Sequence, residues 1–162
     1  MPSLLQTDKE ITEIYDRHVD TVYRVCYSFM KNQADAEDQV QETFLRLLST
    51  GKQFESERHE KAWLIVTASN LCKDALKKWW RRNENIEDYI SLLQYGQMKE
   101  NGIMEAILSL PKDYKTAVYM FYYEGYSTAE IAGYENCPEA TVRSRLSRAR
   151  KQLRTILGGD QG

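Results

Sequence analysis

The feature that most narrows the folds open to this chain is the stretch over residues 126–157, YSTAEIAGYENCPEATVRSRLSRARKQLRTIL. It packs a helix start, a helix stop and a second start into a dozen residues. Ser127 followed three residues later by Glu130 is a capping box, in which each side chain satisfies a backbone N–H of the first turn. Ala129, Ile131 and Ala132 give the short helix that follows a small apolar face. Asn136 stands where the chain must turn, and Asn adopts the left-handed conformation more readily than most side chains. Pro138 suits a first helical position, which has no use for the missing N–H. Beyond it Val142, Leu146, Ala149 and Leu153 recur at steps of four, three and four, the packing stripe of a longer helix. Its other faces carry Arg143, Arg145, Arg148, Arg150, Lys151 and Arg154 against one acid, Glu139.

A short helix, a turn and a longer basic helix make a helix-turn-helix, whose second helix lies in the major groove of DNA. Arginine presents a planar fork of donors that matches guanine O6 and N7 or two phosphate oxygens. The plainer reading is a solvated basic helix paired with acidic neighbours. Cap, turn and packing stripe in one register favour DNA binding.

Charge mapping sharpens this. The chain has 162 residues and a net charge of only −2, yet the charge is blocked along it. Residues 1–60 hold seven basic against twelve acidic side chains, and residues 61–82 hold six against one. Residues 83–137 hold three against nine, and residues 138–157 again six against one. Two basic blocks suggest two contacts with nucleic acid and leave acidic surface for something else.

Eight Gly, three Pro and no alternating β-branched run point to an all-α chain of two small helical domains. No apolar run reaches the ~20 residues of a membrane span and no secretion signal opens the sequence, so a cytoplasmic location is expected. Cys26, Cys72 and Cys137 lack any CxxC spacing and are expected to be small apolar residues. His18 lies on an apolar stripe as a packed histidine, and His59 stands at no metal-ligand spacing from it. With no Gly-rich phosphate loop and no nucleophile–base pair, we expect no catalytic residues, metal, cofactor or small-molecule substrate.

From about residue 8 to 30, Ile11, Ile14, Tyr15, His18, Val19, Val22, Cys26, Phe29 and Met30 mark a long amphipathic helix. Residues 35–48, DAEDQVQETFLRLL, form a second, facing inward through Ala36, Val40, Phe44, Leu47 and Leu48. Asp38, Gln41, Glu42 and Leu45 stay on or beside its outer face, which on charge alone reads as a solvated acidic surface. Residues 50–60 form a polar loop with one aromatic, Phe54. Phe54 is either an anchor onto the domain or a platform for an unpaired base, and in isolation the anchor is the simpler reading. Residues 61–82 form a third helix, with Asn70, Lys73, Lys77 and Lys78 on its polar side and Trp79 and Trp80 near its end. An acidic linker over residues 83–102 separates a first domain at 8–82 from a second at 103–157. Within the second, residues 113–124 form a helix facing inward through Ala117, Met120, Phe121 and Tyr123, stopped by Gly125.

Taken together, DAEDQVQETFLRLL, the Phe54 loop, KAWLIVTASNLCKD, LPKDYKTAVYMFYYEGYSTAEIAG and ATVRSRLSRARKQLR resemble an RNA polymerase sigma factor of the extracytoplasmic-function group. The resemblance runs from about residue 15 to 157. It implies an alternative sigma factor that brings core RNA polymerase to promoters by recognising −10 and −35 elements and assisting melting. Carried over by position, Asp38, Gln41, Glu42 and Leu45 would dock on the polymerase clamp. Phe54, Asn70, Lys73, Lys77 and Lys78 would hold the unpaired −10 strand. Arg143, Ser144, Ser147 and Arg148 would read the −35 duplex, with Arg145 and Arg150 on its phosphates. Trp79 and Trp80 fall too late for the paired aromatics that open DNA in primary sigma factors, and read as packing and phosphate-adjacent aromatics. Glu135, Asn136 and Ala140 depart from the family's apolar residue and glycines around the turn. The resemblance also implies an anti-sigma protein as partner. A stand-alone helix-turn-helix regulator would share the C-terminal shape but leaves the residue 35–48 and Asn70 helices unexplained. A purely protein-binding helical module would not need two basic blocks.

Overall fold

The computed structural model describes residues 4–82 and 107–158, with side chains over 9–78 and 107–155. The expected linker and the side chains of Trp79 and Trp80 lie outside the described residues. Two compact units cover Met1–Ala75 and Leu76–Gly162. All regular structure among the described residues is helical.

In the first unit, α1 (Leu4–Met30) packs against α2 (Gln33–Thr50), and α3 (Glu57–Arg82) follows. Lys31 ends α1 in the left-handed region at φ 63°. The Asn32 side chain then accepts a hydrogen bond from the Asp35 N–H at 2.8 Å and starts α2 two residues earlier than the apolar pattern indicates. Gly51, at φ 59°, ends α2. Ser56 Oγ accepts from the His59 N–H at 3.1 Å, so α3 begins at Glu57 inside the stretch read as a polar loop. That first turn carries no apolar stripe to betray it. The core is Val22, Val25, Cys26 and Phe29 against Ala36, Val40, Phe44 and Leu47, with Leu64, Ile65, Ala68 and Cys72 from α3. Two side chains read as inward-facing are not: Tyr15 and Leu48 are each 43% exposed. Tyr15 lies edge-on to Phe44 with ring centroids 4.9 Å apart.

In the second unit, residues 107–109 are helical and lead through Leu110 and Pro111 to α4 (Lys112–Val118). It continues as a π-turn over Tyr119–Tyr123, closed by the Glu124 N–H donating to the Tyr119 carbonyl at 3.1 Å. Lys115 to Met120 are all buried, Tyr119 among them, whereas Phe121 and Tyr123, read as core, lie within the wider turn and are half-buried. Tyr119 Oη donates to Glu124 Oε2 at 2.8 Å, and its ring stacks on Tyr123 at 4.9 Å. Gly125 turns the chain at φ 79° into α5 (Thr128–Glu135) and α6 (Glu139–Gly158). Cys26 and Cys72 are buried as expected, whereas Cys137, in the turn, is only half-buried.

His18 is packed, as its place on the stripe indicated, and it also has a polar partner. Its Nε2 lies 2.7 Å from Glu60 Oε1, tying α1 to α3 together with an Arg17–Glu60 ion pair. Nδ1 is buried without a hydrogen-bond partner among the described residues. Burial lowers the imidazole pKa below its usual 6.5 more than Glu60 raises it. The unfolded chain therefore takes up a proton near pH 6.5 that the folded unit resists. This contribution to stability is full above that pH and shrinks as the pH falls. Between about pH 7.5 and 5.5, the melting temperature of the wild-type chain should fall more steeply than that of His18→Gln, whose amide still reaches Glu60. Parallel melting profiles would show that His18 does not carry this dependence.

Candidate nucleic-acid and docking interfaces

The α5–α6 turn is fixed by local chemistry at both ends. The Glu130 N–H donates to Ser127 Oγ at 3.0 Å and the Ser127 N–H donates to Glu130 Oε1 at 2.9 Å, completing the capping box. Asn136 takes the left-handed conformation, φ 56° and ψ 50°. Behind it the Cys137 N–H reaches the Ala132 carbonyl at 3.0 Å and the Asn136 N–H reaches Gly133 at 3.4 Å, the paired bonds of a Schellman stop. Asn thus fills the conformation for which glycine is the usual choice. Thr128 Oγ1 donates to Glu139 Oε2 at 2.6 Å, linking the start of α5 to the start of α6.

Burying Val142, Leu146 and Ala149 turns the opposite side of α6 outward. On it Arg143, Ser147, Arg148 and Arg150 are exposed and Ser144 is half-buried. Ser144, Arg145 and Arg148 meet Asp113, Tyr114, Ala140 and Thr141 around an open cleft of about 520 Å³. Three of the cations have partners within the unit. Arg145 pairs with Glu135 at 3.2 Å, and Arg150 donates to Tyr122 Oη at 3.2 Å. Arg143 is 66% exposed and pairs with Glu139, one turn earlier, at 3.0 Å.

On α2, Asp38, Gln41, Glu42 and Leu45 are all exposed and follow one another at steps of three, one and three. Leu45 is 56% exposed, and Leu48 prolongs the same row. Sequence reading missed Leu48 because two adjacent leucines near a helix end leave open which one faces in.

Phe54 is half-buried beside two aromatic rings, His59 at 5.3 Å edge-on and Trp63 at 5.7 Å. The cluster anchors the loop, and its outer side remains open to solvent. Along α3, Asn70, Lys77 and Lys78 are exposed and Lys73 is half-buried, with Asn70, Lys73 and Lys77 in one row.

Against known families, residues 14–82 match sigma-70 region 2 and residues 100–153 match sigma-70 region 4. The chain is 29% identical to the ECF RNA polymerase sigma factor SigW of Bacillus subtilis, over 90% of this chain and 87% of that protein. It is 31% identical to the RNA polymerase sigma factor SigV of the same organism, over 86% of each. This chain belongs to the extracytoplasmic-function group of the sigma-70 family. It is an alternative sigma factor, a protein of transcription initiation. The fold agrees with that of solved relatives. The Bartonella quintana sigma factor RpoE, in co-crystal with the anti-sigma factor NepR, superposes with a TM-score of 0.67 at 24% identity, covering 94% of this chain and 99% of that one. CnrH, in complex with the cytosolic domain of CnrY, gives 0.65 at 20%, covering 94% and 90%. Among the described residues of this sigma factor, no helix is long and apolar enough to cross a membrane.

The turn geometry gives a direct test. Asn136→Ala should cost about 1–2 kcal/mol of stability, because a Cβ-bearing side chain without local hydrogen bonding resists the left-handed region, and Asn136→Gly should be near neutral. Ser127→Ala should cost about 1 kcal/mol through loss of the cap. Urea denaturation of the three variants checks all three values.

Proposed function

We propose that this sigma factor docks on core RNA polymerase through the exposed row of α2 and contacts promoter DNA through α3 and α6. In this reading residues 8–82 form the polymerase- and −10-binding domain, 83–102 the linker and 103–157 the −35-binding domain. The observation that carries the docking surface is the pair Leu45 and Leu48, 56% and 43% exposed beside the buried Phe44 and Leu47. Two large apolar side chains left in water, flanked by Asp38, Gln41 and Glu42, suit a basic partner surface with an apolar centre.

The Phe54–Trp63 cluster supplies a ring on which an unpaired −10 base stacks, and Lys73, Lys77 and Lys78 supply the phosphate track. Extruding a base costs a few kcal/mol, and stacking of about 1–3 kcal/mol with the basic track offsets it. Asn70 offers both a donor and an acceptor to a base edge. On α6, Arg143, Ser144, Ser147 and Arg148 read the −35 element, while Arg145 and Arg150 meet phosphates at its margins. The ion pair with Glu135 sets the direction of Arg145 before DNA arrives. We further propose an anti-sigma protein that covers the polymerase-binding face, a partner of the kind that RpoE holds in its complex with the anti-sigma factor NepR. The chain works without a cofactor or small-molecule substrate and acts in the cytoplasm, where core polymerase and promoter DNA are found.

Co-elution with core RNA polymerase tests the docking surface. Gln41→Ala with Leu45→Ala should weaken binding by about 30-fold, the cost of truncating a central contact. Because both side chains are exposed, the melting temperature should stay near that of the wild type. Leu47→Ala, by contrast, should lose about 2–5 kcal/mol of stability from its buried site. Unchanged polymerase binding by the double variant would remove α2 as the docking helix.

A further inference from the structure

We infer that Glu139 is a specificity-determining residue of the reading helix. The Thr128 hydroxyl holds its carboxylate at the N-terminal end of α6, where it orients Arg143 and offers its second oxygen to the exocyclic amino group of a cytosine. The inference rests on the proposed placement of α6 in the major groove.

Four observations carry it. Glu139 is the first residue of α6, and in a helix-turn-helix the N-terminal residues of the second helix approach base edges. It lies one helical turn before Arg143, in line with the face that presents Ser147. Its Oε2 is held twice, by Thr128 Oγ1 at 2.6 Å and by Arg143 Nη2 at 3.0 Å, whereas Oε1 makes no hydrogen bond within the described residues. Its side chain is 37% exposed, unlike that of Glu135, which is 9% exposed and committed to Arg145.

A carboxylate in a DNA groove is ordinarily a liability, because phosphates repel it. Here the neighbouring guanidinium neutralises it, and the Thr128 bond, followed by Arg143, keeps its pKa below the usual carboxylate value. The pair then presents complementary chemistry to neighbouring positions. The carboxylate accepts from cytosine N4, and the remaining donors of the Arg143 fork face guanine O6 and N7. Thr128 belongs to α5 and takes no base itself. It is a positioning residue that fixes the carboxylate rotamer across the turn.

Selection from duplexes randomised across the −35 element tests this, using holoenzyme assembled from the full chain and core RNA polymerase and sequencing the retained DNA. Wild-type holoenzyme should prefer cytosine at one base pair next to the guanine lost in Arg143→Ala. Glu139→Gln should lower that cytosine preference by about fivefold or more and raise adenine, which a glutamine amide pairs through N6 and N7. Thr128→Val, which keeps both reading side chains but frees the carboxylate, should relax the same position. If Glu139→Gln weakens all sequences alike, or leaves every preference unchanged, while Arg143→Ala relaxes the guanine, the inference is overturned. Glu139 is then only a strap between helices, and α6 still reads DNA. If Arg143→Ala also leaves every preference unchanged, the groove reading of α6 falls and the inference with it.

Discussion

Six cations on one 20-residue helix repel one another, and nothing along α6 itself offsets that repulsion except Glu139. The rest of the second unit depends on how this helix is nevertheless held still. Val142, Leu146 and Ala149 are buried to 1% exposure or less, and each buried aliphatic side chain contributes about 1.5–3 kcal/mol, less for alanine. That anchoring fixes which side of the helix faces out. The basic side is therefore presented as a consequence of burying the apolar one.

The eight residues of α5 are too few to form a helix alone, since isolated helices shorter than about 12 residues are marginal in water. Its existence rests on the capping box, on the Schellman stop at Asn136 and on the burial of Ile131. The same turn sets the angle between α5 and α6. Thr128, Glu139 and Arg143 then form a chain of hydrogen bonds from α5 to α6, the proposed reading helix. Rigid support matters because a bidentate base contact tolerates little misplacement.

The first unit solves a different problem with the same means. Successive residues of a helix are rotated by about 100°, so burying Phe44 and Leu47 obliges Leu45 to point away. One helix thus supplies both core and the proposed docking surface. In the proposed reading, the net charge of −2 on a DNA-binding chain reflects basic and acidic blocks that face different partners.

Much of this was legible in the sequence. The capping box, the left-handed Asn136, the Gly125 stop and the α6 packing stripe are encoded by residues within a few positions of one another, so local chemistry suffices to read them. Helical periodicity likewise identified the outer row of α2 and the polar side of α3. Less legible were features whose cause lies in another element. The start of α3 at Glu57 depends on a Ser56 cap hidden in a polar stretch, and the π-turn leaves Phe121 and Tyr123 half-buried. Whether Leu47 or Leu48 faces inward, and how Tyr15 meets Phe44, is decided by the packing of α1 on α2. His18 was legible as a packed residue, but its partner Glu60 is 42 positions away. The sequence alone determined the helices, their caps and their charged faces, because those are short-range properties. Only the tertiary structure decided which borderline apolar residues are exposed and which ionised groups meet, because those depend on distances between helices that no local pattern records.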